Sequence, residues 1–276
     1  MPLAQAQDAL TESRVTVQVR RFASLRSPAK RDAPPVVGVD GCPGGWLAVR
    51  MPADAPDKAE LYFFEEFEAL LVAFGDAAAI AVDMPIGLPD RRTGAGRACE
   101  VEARARLGAR QSSVFSIPAR GAVMAGDYAE ACNVALETSD PPRKVSKQAF
   151  MLFPKIREID LCWEDGMEGH LFECHPELAF WALNGGRPMA LPKKVKSRNN
   201  PPGLDERARA LEAAGFAPGF LVHGNTERMP GKARRDDLLD ACVCAWSAAR
   251  ISRGEGIAFP EEPEFDGLGR PMSITV

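Results

Sequence analysis

The sequence lacks any run of about 18 apolar residues, the minimum length of a membrane-spanning helix, so we expect no membrane span. It also lacks a recognisable secretory signal, because residues 1–14 are polar and residues 20–35 mix basic residues with serine and proline. Such a composition is typical of flexible chain, and we predict a flexible N-terminal tail over residues 1–34. A transit-like or nucleic-acid-contacting arm is the alternative interpretation of this segment.

The sequence also has no excess of basic residues. The chain has 34 Lys and Arg against 38 Asp and Glu, which gives a net charge of −4. This balance excludes a globally basic nucleic-acid-binding protein but leaves room for a local basic face. The length of 276 residues and the hydrophobic fraction of 46% suit a globular chain of one large domain or two small ones.

Paired cysteine motifs are absent. The seven cysteines form an odd number without a CxxC pair, so neither a disulfide framework nor a structural zinc site is expected. A reducing cytoplasm is the natural compartment for such a chain. The serines of "SSVFS" (112–116) have no GxSxG setting, which argues against a serine hydrolase.

Folded structure is predicted to begin with a β-hairpin at residues 36–51, where two apolar runs flank a glycine-rich turn. Residues 59–67 supply a third strand. The continuously apolar run at 78–89 predicts a central strand buried on both faces. Residues 171–186 begin as a strand and turn into a helix at His175-Pro176.

The remaining segments are mainly helical or irregular. Helices are predicted at 67–75, 97–110, 127–138, 147–165, 204–216 and 236–254. Residues 187–203 form a basic loop rich in proline and asparagine, and the segment after the last helix is predicted to be loop with one short strand. This order predicts a mixed α/β domain in which helices sandwich one sheet.

Two of the predicted strands end in an aspartate. Asp40 follows "VVGV" and Asp83 follows "AIAV", and ligands of open α/β sheets bind outside the carboxyl ends of the strands. Each residue also has a structural interpretation. Asp40 is a suitable turn residue, and Asp83 is a suitable cap or salt-bridge partner for Arg91 or Arg92.

A third acidic group opens the last predicted helix. Asp236, Asp237 and Asp240 lie within five positions, and like charges at the i,i+3 and i,i+4 spacings repel one another. Asp236 is expected to cap the helix or to lie outside the ligand group, and nearby basic residues offer one means of neutralising the others. A divalent cation is the other means of neutralising these carboxylates. Taken together with Asp40 and Asp83, the group favours a carboxylate-held Mg²⁺ or Mn²⁺ site, because hard cations prefer oxygen ligands.

The third strand end, "LFECHPE", carries Glu173, His175 and Glu177. Glu173 is interpreted either as a site carboxylate or as a solvent-facing strand residue. His175 is a candidate ligand or substrate contact, and Glu177 suits the first turn of a helix.

Six motifs, in order, resemble those of domain-of-unknown-function family 429. They are "VGVDGCPGGW", "AVDMPIGLP", "SSVFSIPAR", "SKQAFMLFPKIREID", "FECHPELAF" and "DDLLDACVCAW", and they span about residues 36–250. Members of that family are regarded as predicted RNase H-like nucleases. The resemblance implies an RNase H-like fold with a five-stranded mixed sheet of order 3-2-1-4-5, flanked by helices.

The resemblance also implies where the site lies. Asp40 occupies the strand-1 position, Asp83 the strand-4 position, and Asp237 and Asp240 the final-helix positions of a metal-dependent nuclease. These four are the expected metal ligands, and Glu173 is a further candidate catalytic residue. We expect residues 35–276 to form a single domain.

The stretch between Asp83 and Glu173 is longer than a minimal RNase H fold needs, which predicts a helical insertion at about 92–165. Phosphate-binding candidates are the basic residues of this region, with His175 from the strand that follows; the set is Arg110, Arg120, Lys147, Lys155 and His175. A solvated helix face is the alternative interpretation of the basic residues in the insertion. The basic run at 192–198 is a further candidate for contact with a nucleic-acid backbone, with a surface basic loop as its alternative.

Three functions are therefore compared. The first is a nuclease that hydrolyses phosphodiesters of nucleic acid with Mg²⁺ or Mn²⁺. The second is a phosphotransferase or ATPase acting on a small phosphorylated ligand, and the third is a non-catalytic binding protein. The nucleic acid type stays open, as does the oligomeric state, for which a homodimer is one alternative.

Overall fold

The computed structural model describes residues 33–196, 198–222 and 229–276. The predicted tail at 1–34 lies outside these ranges except for its last two residues. Within the described residues, no helix combines the length and the apolar character needed to cross a membrane.

Seven strands form one mixed sheet, and four two-residue strands form two small separate ladders. The strands are β1 Pro35–Cys42, β2 Gly45–Pro52, β3 Glu60–Phe64, β4 Ala79–Asp83, β5 Arg92–Thr93, β6 Ser139–Asp140, β7 Leu171–Glu173, β8 Lys194–Val195, β9 Arg198–Asn199, β10 Ala258–Phe265 and β11 Pro271–Thr275. The order across the main sheet is β10-β11-β7-β4-β1-β2-β3. The first three strands form an antiparallel meander, and β4 joins β1 in parallel.

Helices cover both faces of this sheet. They are α1 Phe67–Ala73, α2 Ala98–Leu107, α3 Arg120–Met124, α4 Tyr128–Glu137, α5 Lys147–Phe150, α6 Phe153–Cys162, α7 Pro176–Leu183, α8 Pro201–Ala213, α9 Pro218–Leu221 and α10 Arg235–Ser252. One apolar core packs α2 and α7 to α10 on one face, and a second packs α1 and α3 to α6 on the other.

The pleat of β1 and β4 decides which face the aspartates occupy. Val36 of β1 and Ala81 of β4 belong to the core beneath α10, whereas Val39 and Val82 belong to the opposite core. Because side chains alternate between the faces of a strand, positions two residues apart share a face. Asp40 and Asp83 therefore leave the sheet on the α10 side.

Helix α10 approaches the sheet closely at Gly38 in the middle of β1. A Cβ atom at Gly38 would lie 2.0 Å from the Ala245 nitrogen and 2.2 Å from the Ala241 oxygen, so only glycine fits. This close contact places the first two turns of α10, which carry Asp236, Asp237 and Asp240, over the carboxyl ends of β1 and β4.

Two expectations about the architecture are corrected. The sheet has seven strands rather than five, because residues predicted to be mostly loop form β10 and β11, and β11 adds to the edge of β7. The helical segment at 147–165, in which Pro154 predicts an interruption, is divided into α5 and α6, with Pro154 in the first turn of α6. The basic loop contains the β8-β9 hairpin and ends where α8 begins at Pro201.

The segment between β4 and β7 contains α2 to α6 and participates in both cores. Cys99 and Leu107 of α2 pack beneath α10, whereas Phe153 and Ile156 of α6 pack against the other face of the sheet. This stretch is therefore built into the domain along its length.

Candidate functional site

Four aspartates meet where β1 and β4 end and α10 begins. Asp40 and Asp83 are direct partners in the parallel pairing of β1 with β4. The charges of Asp83, Asp237 and Asp240 all act on the Asp40 carboxyl. The structure therefore brings together the four residues that the sequence marked as metal-ligand candidates.

Crowding and burial make these carboxyl groups hard to ionise. Burial, followed by the charges of Asp83, Asp240 and Asp237, raises the pKa of Asp40 well above its usual range. Burial and then Asp240 raise the pKa of Asp83 to about 7, and burial and then Asp236 raise that of Asp237 to about 6. Perturbed carboxyl groups of this kind are typical of functional sites.

The Asp40 and Asp83 side chains interact directly, because the two residues are partners in the pairing of β1 with β4. Two ionised carboxylates offer only acceptors, so a proton or a cation is needed to relieve the repulsion between them.

Lys193 reaches into this cluster from the basic segment before α8. Its ammonium forms a salt bridge with the Asp240 carboxylate. Although burial lowers the pKa of Lys193, the charges of Asp240, Glu177 and Asp83 raise it, so the side chain is a cation. Sequence reasoning missed this residue, because three lysines in a proline-rich loop give no periodic pattern.

The backbone that carries Lys193 is held at several points. Arg207 of α8 donates to the Leu191 oxygen at 3.0 Å, and Asn200 donates to the Pro192 oxygen at 2.7 Å. The Glu206 carboxylate accepts from the Leu191 amide at 2.8 Å. The surrounding chain therefore fixes the backbone from which the Lys193 side chain extends, and the ammonium itself is held by Asp240.

Asp236 and Asp237 have structural roles that differ from the predicted ones. Asp236 accepts from Lys194 and from Asn199, each at 2.9 Å, and so ties the β8-β9 hairpin to the helix. The Arg234 amide donates to Asp237 at 2.7 Å, so Asp237, and not Asp236, satisfies the start of the helix.

Glu173 at the end of β7 is buried and paired. Both of its oxygens accept from Arg97, at 2.7 and 2.8 Å, and the Ile86 amide donates to it at 2.7 Å. Arg97 also donates to Glu100 at 2.9 Å. This pairing overturns the interpretation of Glu173 as a solvent-facing residue.

His175 lies two residues after Glu173 and is half-buried. Its Nε2 lies 3.2 Å from the Ser113 carbonyl oxygen, which only accepts, so Nε2 carries the proton of the ring. Burial lowers the pKa of His175, which keeps the ring neutral. Its Nδ1 is then an acceptor, buried and without a hydrogen-bond partner among the described residues.

A cavity of about 470 Å³ opens beside the aspartates. Its walls combine the four carboxylates with cationic groups, hydroxyl groups and apolar side chains. Residues from the predicted insertion and from the basic segment line it, among them Arg110, Ser113, Phe115, Leu152, Lys193 and Lys194. This volume lies within the range of small-ligand sites in proteins.

The predicted phosphate-binding residues occupy different places. Arg110 lines the cavity and donates to the Ala190 oxygen at 2.5 Å, and His175 lines it as well. Arg120 forms salt bridges with Asp160 and Asp266.

Two lysines complete that set. Lys147 is exposed at the start of α5. The Lys155 nitrogen lies 4.2 Å from the centre of the Trp46 ring and 3.5 Å from Glu158.

The donor chemistry of the cluster suits a hard divalent cation, because all four groups offer carboxylate oxygens. The Asp240 Oδ1 atom supports this, since it is buried and lacks a hydrogen-bond partner in the part of the chain that the structure describes. The side chains do not yet form a ligand group, however. Among residues 33–196, 198–222 and 229–276, no three His, Cys, Asp or Glu residues are placed to hold a metal ion. A rearrangement of these side chains is therefore a condition for binding.

The fold and the site define an α/β protein with a carboxylate-lined cavity at the carboxyl ends of two parallel strands. The chain belongs to the family described as "Protein of unknown function (DUF429)", which it matches over residues 38–265. This match confirms the family expected from the six motifs. No curated protein and no solved structure is significantly similar to the chain.

Proposed function

We propose that this protein is a metal-dependent nuclease with an RNase H-like fold, which hydrolyses phosphodiester bonds of nucleic acid. The observation that carries the proposal is the convergence of Asp40, Asp83, Asp237 and Asp240 beside a cavity. Burial and then the neighbouring aspartates raise the pKa of Asp40, Asp83 and Asp237, and a bound cation would offset the repulsion among them. Each group binds a metal only once it has lost its proton.

Asp40, Asp83, Asp237 and Asp240 would hold Mg²⁺ or Mn²⁺. Such an ion, when bound, activates water and stabilises negative charge on phosphate oxygens. The chain itself supplies the geometry. β1 and β4 set two carboxylates side by side, and α10, fixed at Gly38, sets two more above them.

The strand arrangement supports the RNase H-like part of the proposal. The order β3-β2-β1-β4-β7 follows the pattern 3-2-1-4-5 that the family resemblance implies, with an antiparallel meander first. The strands β10 and β11 extend that pattern beyond β7.

Cationic groups near the carboxylates support an anionic substrate. Arg110, Lys193 and Lys194 line the same cavity as the aspartates. A phosphodiester placed there would meet positive charge on one side and the metal ligands on the other. We propose nucleic acid as the partner on this basis. We also propose a reducing cytoplasm as the compartment of the protein, because all seven cysteines are free thiols.

Cleavage assays test the proposal directly. The purified chain is incubated with Mn²⁺ or Mg²⁺ and with branched DNA, single-stranded DNA or an RNA–DNA hybrid, and is compared with Asp40→Asn. We expect cleavage of at least one polymer by the wild type and a loss of roughly 100-fold or more in the variant. The matched control is Asp76→Asn, which changes an exposed partner of Arg50 far from the cavity. Failure to cleave any of the three polymers would refute the nuclease.

A phosphotransferase or ATPase acting on a small phosphorylated ligand is the second candidate. The cavity favours it, because about 470 Å³ suits a small molecule. ATP hydrolysis that Asp40→Asn abolishes, without cleavage of nucleic acid, would support this candidate. If neither activity is found, a non-catalytic binding protein is the function that is left.

A further inference from the structure

The carboxylate cluster contains a cation of its own. Asp40, Asp83, Asp237 and Asp240 carry up to four negative charges, and two divalent ions would balance them. The Lys193 ammonium is already paired with Asp240 and also acts on Asp83 and Glu177. It therefore occupies a position at which a second divalent ion would otherwise meet Asp240.

Lys193 is held in this position and does not extend from a free surface loop. The Asn200 amide donates to the Lys193 oxygen at 2.8 Å, and the Asn200 side chain donates to the preceding Pro192 oxygen. Gly203 of α8 packs so closely that a Cβ atom there would lie 2.1 Å from the Pro192 oxygen. These contacts hold the backbone of Lys193 at the edge of the carboxylate cluster, within reach of Asp240.

The remaining free donors suit a single ion. Asp240 Oδ2 accepts from Lys193, whereas Asp240 Oδ1 is buried and lacks a hydrogen-bond partner among the described residues. Asp40 and Asp83 are direct partners in the pairing of β1 with β4. An ion bound by these strand-end carboxylates and by Asp240 Oδ1 would leave Lys193 in place.

We infer that Lys193 supplies one of the two positive positions of this site, so that the protein binds one divalent cation and not two. This inference rests on the proposed function, since it assigns the metal content of the same site. A lysine ammonium is a compact charge with three donors, which allows it to keep Asp240 and to contact an anionic oxygen of a substrate.

The test counts bound metal. The full chain is titrated with Mn²⁺ alone by calorimetry, and the bound Mn²⁺ is counted after equilibrium dialysis, for the wild type and for Lys193→Met. We expect one Mn²⁺ per wild-type chain and two per Lys193→Met chain, because the variant removes the resident charge and frees Asp240 Oδ2. Lys193→Gln is measured in parallel, so that a second neutral variant is available if methionine prevents folding.

Two variants control for charge and for position. Lys193→Arg keeps the positive charge and should still bind one Mn²⁺. Lys194→Met removes the neighbouring lysine, which pairs with Asp236 at 2.9 Å, and should also leave the count at one. A change of the count in Lys194→Met would mean that the general charge of the segment, and not Lys193, sets the stoichiometry.

The outcomes separate this inference from the proposed function. Two Mn²⁺ ions per wild-type chain, or one ion per chain in both neutral variants of Lys193, would overturn the role of Lys193 even if the protein cleaves nucleic acid. Binding by the neutral variants but not by the wild type would overturn it too, because Lys193 would then exclude metal. The expected counts without cleavage of any polymer would support Lys193 and refute the nuclease.

Discussion

Asp40 and Asp83 lie directly opposite each other on neighbouring parallel strands. The pairing of β1 with β4 fixes the two backbones side by side, and both side chains leave the same face of the sheet. The two carboxyl groups therefore lie close together. A shared proton or a cation is the means of relieving the repulsion.

The pair predicts how stability depends on pH without metal. Burial, then Asp240, raises the pKa of Asp83 from 3.8 to about 7 in the folded state. The folded protein thus binds this proton more tightly than the unfolded chain, so the stabilisation is present below pH 4 and is lost as the pH rises through about 7. Asp83→Asn mimics the protonated form, and we expect it to add roughly 1–3 kcal/mol at pH 8 and little at pH 4.

Urea unfolding with a chelator at pH 4 and pH 8 measures this difference. Asp76→Asn serves as the control, because Arg50 lowers the pKa of Asp76 through a hydrogen bond on an exposed surface. An Asp83→Asn protein that is destabilised equally at both pH values would contradict the prediction.

A substitution at Gly38 tests the contact between α10 and β1. Alanine there would place a methyl group 2.0 Å from the backbone of α10, so the helix must shift away from β1. We expect Gly38→Ala to cost about 3 kcal/mol or more in the free energy of unfolding. Gly219→Ala is the matched control, since a Cβ atom at that glycine meets nothing within 4 Å. Equal stabilities of the two variants would show that α10 is not pressed against β1.

Arg97 is predicted to hold Glu173 in the core rather than to serve the reaction. Arg97→Met leaves Glu173 and Glu100 buried without their cation, and we expect a loss of about 3–5 kcal/mol in chemical denaturation. Adding Glu173→Gln to that variant should recover part of the loss. Arg106→Met, which changes a half-exposed arginine on the same helix, should cost about 1 kcal/mol or less. No recovery in the double variant would argue against the pairing.

Arg207 should matter for the position of Lys193. Its side chain is fully buried, pairs with both oxygens of Glu177 at 2.7 Å, and donates to the backbone of the basic segment. A lysine cannot reproduce this two-fold pairing, so we expect Arg207→Lys to cost about 2 kcal/mol in urea unfolding. The exposed neighbour Arg209 on the same helix provides the control Arg209→Lys, which should change stability by under about 0.5 kcal/mol. Similar losses in both variants would contradict this role.

The ends of β1 and β4 could be predicted from the sequence, because a buried strand appears in the sequence as a continuous apolar run. An apolar run that stops at an aspartate indicates both the strand and the edge at which its side chain lies, as at Asp40 and Asp83. The same reasoning could not place Lys193 or Arg97. Each depends on contacts with residues far along the chain, Asp240 and Glu173, and local composition carries no trace of those contacts.

The edge strands β10 and β11 were not predicted as members of the main sheet for a related physical reason. β10 contains two prolines and several charged residues, and it pairs irregularly with β11. Such a strand lacks the alternation of apolar and polar residues by which strands are recognised. Its place in the sheet follows from β11, which pairs with β7 through Ile274 and Glu173.

The packing of α10 on Gly38 also sets an order of events during synthesis. Two hundred positions separate Asp40 from Asp240, and ribosomes add about 5–20 residues per second, so β1 precedes its helix by roughly 10–40 s. Throughout that time the face of β1 and β4 that α10 will cover stays open to other chains. The growing polypeptide should therefore be a client of chaperones until its last long helix has emerged.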